Sequence, residues 1–391
     1  MRFIDSDWNT IFLNEKGVKT GKVLNGSGYE LSMYICTVIG LTLRYHFMQL
    51  PREVIVGNGT IERVAEVAQR MGFKESATIV SGTKSFDIAG KTVRELLERD
   101  GMIVDTFLVE TATIKDVQAM EEKIKASKPQ VVFAVGGGTK IDVAKLGSAR
   151  QGIQFISVPT TVSHDGIASP LASVKGFEKP YSVMAQAPIA IIADTDILMH
   201  APWRSVVSGC GDVIAKTTAV KDWRLAREEK NEYYGEYAAS QALMSAKLVI
   251  RNAELMQPRN EEGLRVLLEA LISCGVSMSI AGSSRPCSGS EHLFSHALDI
   301  INHHHAMHGE QCGVGTIMMA YLHETYWTQI KGALKKLGAP TTASELGIRD
   351  DDVIRALEIA ATIRPERYTI LHKLNPSREV CEKVAKITGV I

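Results

Sequence analysis

The sequence predicts a two-part chain: an α/β unit built on a Rossmann-like parallel sheet, followed by an all-helical unit. Three observations predict it. Short apolar strands alternate with amphipathic helices from residue 48 to residue 193, the pattern of a parallel sheet covered on both faces. Strand character stops there, and the long segments beyond residue 200 carry helical period. The length of 391 residues exceeds one typical domain of roughly 150. The expected limits are 48–200 and 201–391, with the change near 196–203.

Taken in order, 52–56 is a short strand and 61–71 an amphipathic helix. Residues 77–80 (ATIV) read as a buried strand, 90–99 as a helix, 102–109 as a strand and 116–126 as a helix. The β-branched run 130–135 (QVVFAV) is a strand that leads into Gly136, Gly137 and Gly138. A helix over 141–149, a strand over 154–158 and a last strand over 189–193 (IAIIA) complete the first unit. In the second, the clearest helices are 235–256, 261–281, 313–326 and 350–363.

Residues 1–47 stand apart. Their apolar run, 31–43, has thirteen residues, short of the roughly 20 that span a bilayer. Arg44, Tyr45, His46 and Phe47 follow it where a signal peptide would carry small residues. The expectation is an N-terminal extension dispensable for function, of the kind an upstream start codon produces.

Lysine plus arginine (44) equals aspartate plus glutamate (44). A zero net charge argues against nucleic-acid binding or membrane-surface attachment through a general field. Six cysteines without a C-x-x-C pair fit reduced thiols in the cytoplasm better than a disulfide framework. A metal would then be held by histidine and carboxylate.

Two loops carry cofactor chemistry. VVFAVGGGTKIDVAK sets three glycines between a strand and a helix. Glycine permits close backbone approach, and a helix N-terminus offers free N–H groups to phosphate. That suits a dinucleotide pyrophosphate, although G-x-G-x-x-G is absent and a tight turn would use the same glycines. The second loop, 157–170, holds Thr160, Thr161, Ser163 and Ser169 around Asp165; hydroxyls also build turns. The strand at 77–80 ends without a carboxylate and with Lys84 nearby, so NADP is expected to be accepted and NAD tolerated.

The metal candidates are Asp212 in SGCGDVIAK, at the start of a helix, His292 and His296 in GSEHLFSHALD, and His308 in HHHAMHGEQCG. One aspartate and two histidines with an open position suit a catalytic zinc. Each also has a plainer reading: Asp212 as a helix N-cap, His292 and His296 as a surface pair at i, i+4, and the histidine run 303–305 with His308 as a polar loop.

In this order, GGGTKID, VPTTVSHDGIASP, GCGD, GSEHLFSHALD and MHGEQCGVG resemble the superfamily of iron-containing alcohol dehydrogenases, glycerol dehydrogenases and 3-dehydroquinate synthases. Within it the motifs are most similar to the archaeal sn-glycerol-1-phosphate dehydrogenase family. The resemblance runs from Met48 to the C-terminus and implies a dehydroquinate synthase-like fold. It implies one zinc per chain on Asp212, His292 and His308, with Asp165, Asp212 and His296 contacting substrate and Asp165 and His296 in catalytic roles. It places the cofactor, NADPH or NADH, on Gly136, Gly137, Gly138, Thr139, Lys140, Ile141, Asp142, Thr160, Thr161, Val162, Ser163 and Ser169.

The implied reaction is reduction of dihydroxyacetone phosphate to sn-glycerol 1-phosphate, which supplies the backbone of archaeal membrane lipids. Arg285 and Lys216 are candidates for the phosphate anchor by sequence proximity to the metal motifs. A glycerol dehydrogenase, a 3-dehydroquinate synthase and a nucleotide-binding regulator are the competing readings. A cytoplasmic homo-oligomer without nucleic acid or stable membrane insertion is expected.

Overall fold

The structure is a computed structural model that describes residues 48–176, 182–301 and 306–391, together with the backbone of three short strands before them. Those three, Phe12–Leu13, Lys19–Leu24 and Glu30–Met33, pair antiparallel. The rest of 1–47, on which the expected dispensable extension falls, lies outside the described residues, as do His303, His304 and His305.

Six strands form one parallel sheet: β1 (Glu53–Gly57), β2 (Ser76–Ser81), β3 (Ile103–Leu108), β4 (Val131–Gly136), β5 (Gln154–Pro159) and β6 (Ala190–Asp194), in the order β1-β6-β5-β4-β2-β3. Every residue of β4 is buried, because the sheet is covered on both faces. Period-two alternation divides the strand. Val131, Phe133 and Val135 join one core with α1 (Val64–Arg70) and α2 (Lys91–Arg99). Val132 and Ala134 join the other, with α3 (Ile114–Ser127) and α4 (Gly138–Arg150). This second core continues without a break into the helical half.

Beyond Asp194 the described residues are helical: α5 (Trp203–Lys230), α6 (Glu236–Arg251), α7 (Glu261–Ala281), α8 (Ser290–Ile301), α9 (His308–Leu322), α10 (Trp327–Lys336), α11 (Asp350–Ile363) and α12 (Arg378–Ile387), with a few shorter turns. Helix α7 is long and apolar enough to cross a membrane by length and composition, but 67% of that window is buried inside the protein. The apolar period that marked it in the sequence is that of a core helix.

Two expectations need correction. Asp212 does not begin a helix: α5 starts at Trp203 and Asp212 lies in its interior, which removes the N-cap reading. The helix expected over 313–326 starts at His308 instead. The Glu310 carboxylate accepts from the Met307 N–H at 2.7 Å, so this N-terminus is capped from within and glycine-rich sequence stays helical.

Candidate active site

Strand β4 ends in the glycine loop, and α4 begins at Gly138, directing its first N–H groups outward from the sheet edge. The β5 loop lies alongside, fastened by Thr160 N–H donating to Gly136 O at 3.1 Å. Both glycines after Gly136 are needed for close approach. A Cβ on Gly137 would stand 2.9 Å from Thr161 Oγ1, and one on Gly138 only 1.9 Å from His164 Nε2. The His164 ring accepts the Gly166 N–H on Nδ1 at 3.0 Å, so its remaining nitrogen faces the Gly138 backbone.

The cofactor residues expected from sequence divide into two groups. Gly137, Gly138, Thr139, Lys140, Thr161 and Ser163 lie at the sheet edge, whereas the Ile141 and Val162 side chains belong to the core. Gly136, Thr160, Asp142 and Ser169 are also buried. Asp142 accepts the Ser173 N–H at 3.1 Å, and burial raises its pKa against the pull of Lys145 and His164. Ser169 Oγ faces Leu171 O and the Lys145 ammonium at 3.3 and 3.4 Å.

A carboxylate missed in the sequence stands at the end of β2. Glu110, just past β3, accepts from Thr83 N–H at 2.7 Å and Thr83 Oγ1 at 2.8 Å, with Lys140 Nζ at 3.3 Å. The Thr83 amide and hydroxyl hold its carboxyl down to about 2. Counting along β2 alone cannot find it, because it arrives from the neighbouring strand.

Three helices deliver the metal candidates. Gly209 and Gly211 let α5 touch its neighbours backbone to backbone: a Cβ on Gly209 would sit 1.9 Å from Val162 O, and one on Gly211 2.2 Å from Gly309 O. This contact sets Asp212 beside the start of α9. His292 Nε2 lies 3.5 Å from Asp212 Oδ1, close to the roughly 3.4 Å between two ligand atoms on a tetrahedral zinc with bonds of about 2.1 Å.

The two imidazoles are oriented from behind. Glu291 Oε1 meets His292 Nδ1 at 2.8 Å, and Ser295 Oγ meets His308 Nδ1 at 3.1 Å. In both rings this leaves Nε2 for an ion, the arrangement that outer hydrogen bonds impose on metal-binding histidines. The His292 and His308 ring centroids are 5.0 Å apart, and His296 stacks on His308 at 6.0 Å.

Asp165 and Asp212 are tied together twice. Lys216 Nζ lies 2.7 Å from Asp165 Oδ2 and 2.7 Å from Asp212 Oδ1, and the Asp165 N–H donates to Asp212 Oδ2 at 3.0 Å. Burial would raise the Asp212 pKa, but Lys216 and then His292 and His308 hold it well below the usual range. Burial lowers His296 well below its ordinary value, and His308, His292, Arg364 and Arg367 add to the effect. The site thus offers an ionised aspartate and a neutral His296.

Neither phosphate-anchor candidate is open to a ligand. Lys216 is fully buried between its two carboxylates. Arg285 is nearly buried, with Nε on Glu232 at 2.7 Å and Nη1 on Tyr368 O at 2.9 Å.

Cys312 was also missed. His292, His308 and Cys312 bring ligand atoms within 4.8 Å of one another. Burial alone would push the thiol up, but the two imidazoles bring it to about 7. Its sulfur is 3.6 Å from His308 Nε2 and 3.9 Å from Nδ1. Such similar distances set it beside the ring rather than on the Nε2 axis, so Asp212 completes the donor set better. The H-x-x-x-C spacing on α9 is the signal that would have found it.

The family model for iron-containing alcohol dehydrogenase matches residues 55–202. Glycerol-1-phosphate dehydrogenase [NAD(P)+] of Pyrococcus furiosus is 53% identical over 346 residues, covering 88% of this chain and 100% of that one. The enzyme of the same name from Methanosarcina mazei is 53% identical, covering 88% and 97%. Among solved structures, glycerol dehydrogenase from Schizosaccharomyces pombe superposes with a TM-score of 0.71 at 20% identity, over 88% of this chain and 91% of that one. At that identity the likeness speaks for the fold.

Proposed function

The chain belongs to the glycerol-1-phosphate dehydrogenase family, and from that premise we propose that it reduces dihydroxyacetone phosphate to sn-glycerol 1-phosphate with NADPH or NADH, using a zinc held by Asp212, His292 and His308. One observation carries the reading. Ser208 Oγ donates to Ser163 O at 3.2 Å and accepts from the Gly309 N–H at 3.2 Å. Two hydrogen bonds therefore join the cofactor loop to the start of the helix that bears His308. In this reading residues 48–200 seat the cofactor, and 201–391 hold metal and substrate.

Zinc on this donor set supplies Lewis acidity toward the substrate carbonyl. A reduced nicotinamide held at the glycine loop and the head of α4 would supply the hydride to the carbonyl carbon. The protein's own residues do the rest. Lys216 keeps Asp212 ionised, and the Asp165 N–H occupies Oδ2 so that Oδ1 faces His292. The Asp165 carboxylate receives the substrate hydroxyl. His296 would pass a proton from water to the carbonyl oxygen, a relay suited to a neutral imidazole. The glycine loop and the α4 N-terminus orient the dinucleotide through its pyrophosphate.

The five described cysteines are free, which supports a cytoplasmic setting. The expected homo-oligomer has its candidate face on α6, where Tyr237, Met244 and Leu248 are exposed; sedimentation tests it. The function is tested by following loss of reduced-nicotinamide absorbance with dihydroxyacetone phosphate on zinc-loaded protein, with an enantiomer-specific assay of the product. Stoichiometric oxidation giving the sn-1 product is expected. Oxidation with unphosphorylated dihydroxyacetone alone would point to a glycerol dehydrogenase, and none with either substrate would sink the reading.

A further inference from the structure

Lys145 lies in α4, is fully buried, and has had no role in the site as described. An ammonium in a core is among the most expensive groups to bury, and a methionine would fill the same space. The cation does what an apolar chain cannot. Its Nζ donates to Gly166 O at 2.8 Å and Leu171 O at 2.6 Å, with Ser169 Oγ at 3.4 Å and Asp142 Oδ1 at 3.6 Å. Three of these acceptors belong to the irregular segment that starts at Asp165. Between the short 3₁₀ turn Asp165–Ile167 and Leu171, which pairs with Met184 in a two-residue antiparallel ladder, that segment has no regular structure. Its first residue reaches both Asp212 and Lys216.

We propose that Lys145 is a positioning residue that fixes the Asp165–Leu171 segment to α4, so that the helix whose N-terminus receives the dinucleotide also sets Asp165 against Asp212. The inference rests on the functional reading above. Lys145 is fully buried, and in this proposal it acts through Asp165. Asp142 shares the arrangement, anchoring the same segment farther on through the Ser173 N–H.

A double-mutant cycle tests this. Lys145→Met and Asp165→Asn are made singly and together in the full zinc-loaded protein, and kinetics are read well below each variant's melting temperature. Lys145→Met is expected to raise KM for dihydroxyacetone phosphate and lower kcat, with a combined loss of ten- to about a hundredfold. In the Asp165→Asn background it adds less than about twofold. Unchanged kcat and KM, or losses that multiply in the double variant, overturn the proposal and leave Lys145 a stability element.

If Lys145→Met does not fold because Asp142 is left buried and uncompensated, Asp142→Asn/Lys145→Met replaces it, with Asp142→Asn as its reference. Should the wild type not reduce dihydroxyacetone phosphate at all, the functional reading fails, and amide hydrogen exchange decides the role of Lys145 separately. Faster exchange confined to residues 165–171 in the variant supports it. Unchanged exchange there overturns it.

Discussion

The two sides of the proposed site are built from different materials. On the sheet side the groups proposed to hold the cofactor are backbone and short loops: the N–H groups at the head of α4, the glycines before it, and the hydroxyls after β5. On the helical side they are side chains in or at the ends of long helices, Asp212 on α5, His292 on α8 and His308 on α9. Glycine serves both sides, differently. At Gly137 and Gly138 it leaves room for the neighbouring loop, whereas at Gly209, Gly211 and Gly309 it lets backbones touch. A site of the first kind survives small shifts of its elements. One of the second kind depends on where three helices cross.

The largest effect that would break this contrast is expected at His308. His308→Ala removes one of the three proposed zinc donors together with the ring on which His296 stacks. Turnover should fall by about 10³-fold or more, and metal analysis should find less than the wild-type zinc. Cofactor affinity, measured by fluorescence, should change little, because the glycine loop is untouched. Equal loss of both would mean that the two sides are not separable.

Next in size is Asp222, which carries the helical side. Its carboxylate accepts the Ser290 N–H at 2.7 Å and Ser290 Oγ at 2.6 Å, which caps α8, and also the Ile370 N–H at 2.7 Å, with His323 Nε2 at 3.0 Å. Asp222→Asn places an NH₂ among donors and should cost about 3 kcal/mol by denaturant unfolding. Burial would raise the Asp222 pKa, but His323 and Ser290 outweigh it and bring it below 3.8. Its contribution is therefore present above pH 3.8 and is lost as pH falls through the folded-state value. The stability gap between wild type and variant should close in that acid window. A gap constant with pH would show that packing, not charge, is at stake.

These cases show what the sequence makes legible. The strands, the glycine loop and α7 are visible locally, through period, β-branching and glycine next to a strand. The helical pair His292 and His296 is visible by spacing. Lys216, Glu291 and Ser295 are near the metal motifs in sequence, yet their partners are fixed only by folding. Glu110 lies a full strand–helix unit away from Gly137 in sequence, so only the order of strands brings it to the cofactor edge. The glycines of SGCGD read as a break before a helix, because a close helix crossing and a turn call for the same residue.

Gly309 sharpens that last point with a smaller effect. A Cβ there would lie 1.8 Å from Ser208 O, a backbone atom that cannot rotate away. Gly309→Ala should force α5 and α9 apart, cost about 2 kcal/mol and lower zinc affinity. Gly332, inside α10, is the control, since nothing stands within 4 Å of its Cβ position. Gly332→Ala should stabilise by about 0.5–1 kcal/mol through helix propensity. If both substitutions stabilise, glycine at the crossing is not there for contact.

The smallest effect concerns cofactor choice on the sheet side. The sequence expectation took the end of β2 to be free of carboxylate, but Glu110 stands at Thr83 and is held down to about 2 by the Thr83 amide and hydroxyl. An anion at this edge accepts a ribose 2′-OH and repels a 2′-phosphate. Lys84, exposed on the same turn, works the other way. The opposed charges agree with relatives whose name carries both NAD and NADP. A unit charge about 4 Å away through water changes binding by about fivefold. Glu110→Ala should therefore raise the NADPH-to-NADH ratio of kcat/KM by about that factor, less at high salt. A ratio that stays put would place the adenosine ribose away from the end of β2, and cofactor choice would then rest on groups other than Glu110 and Lys84.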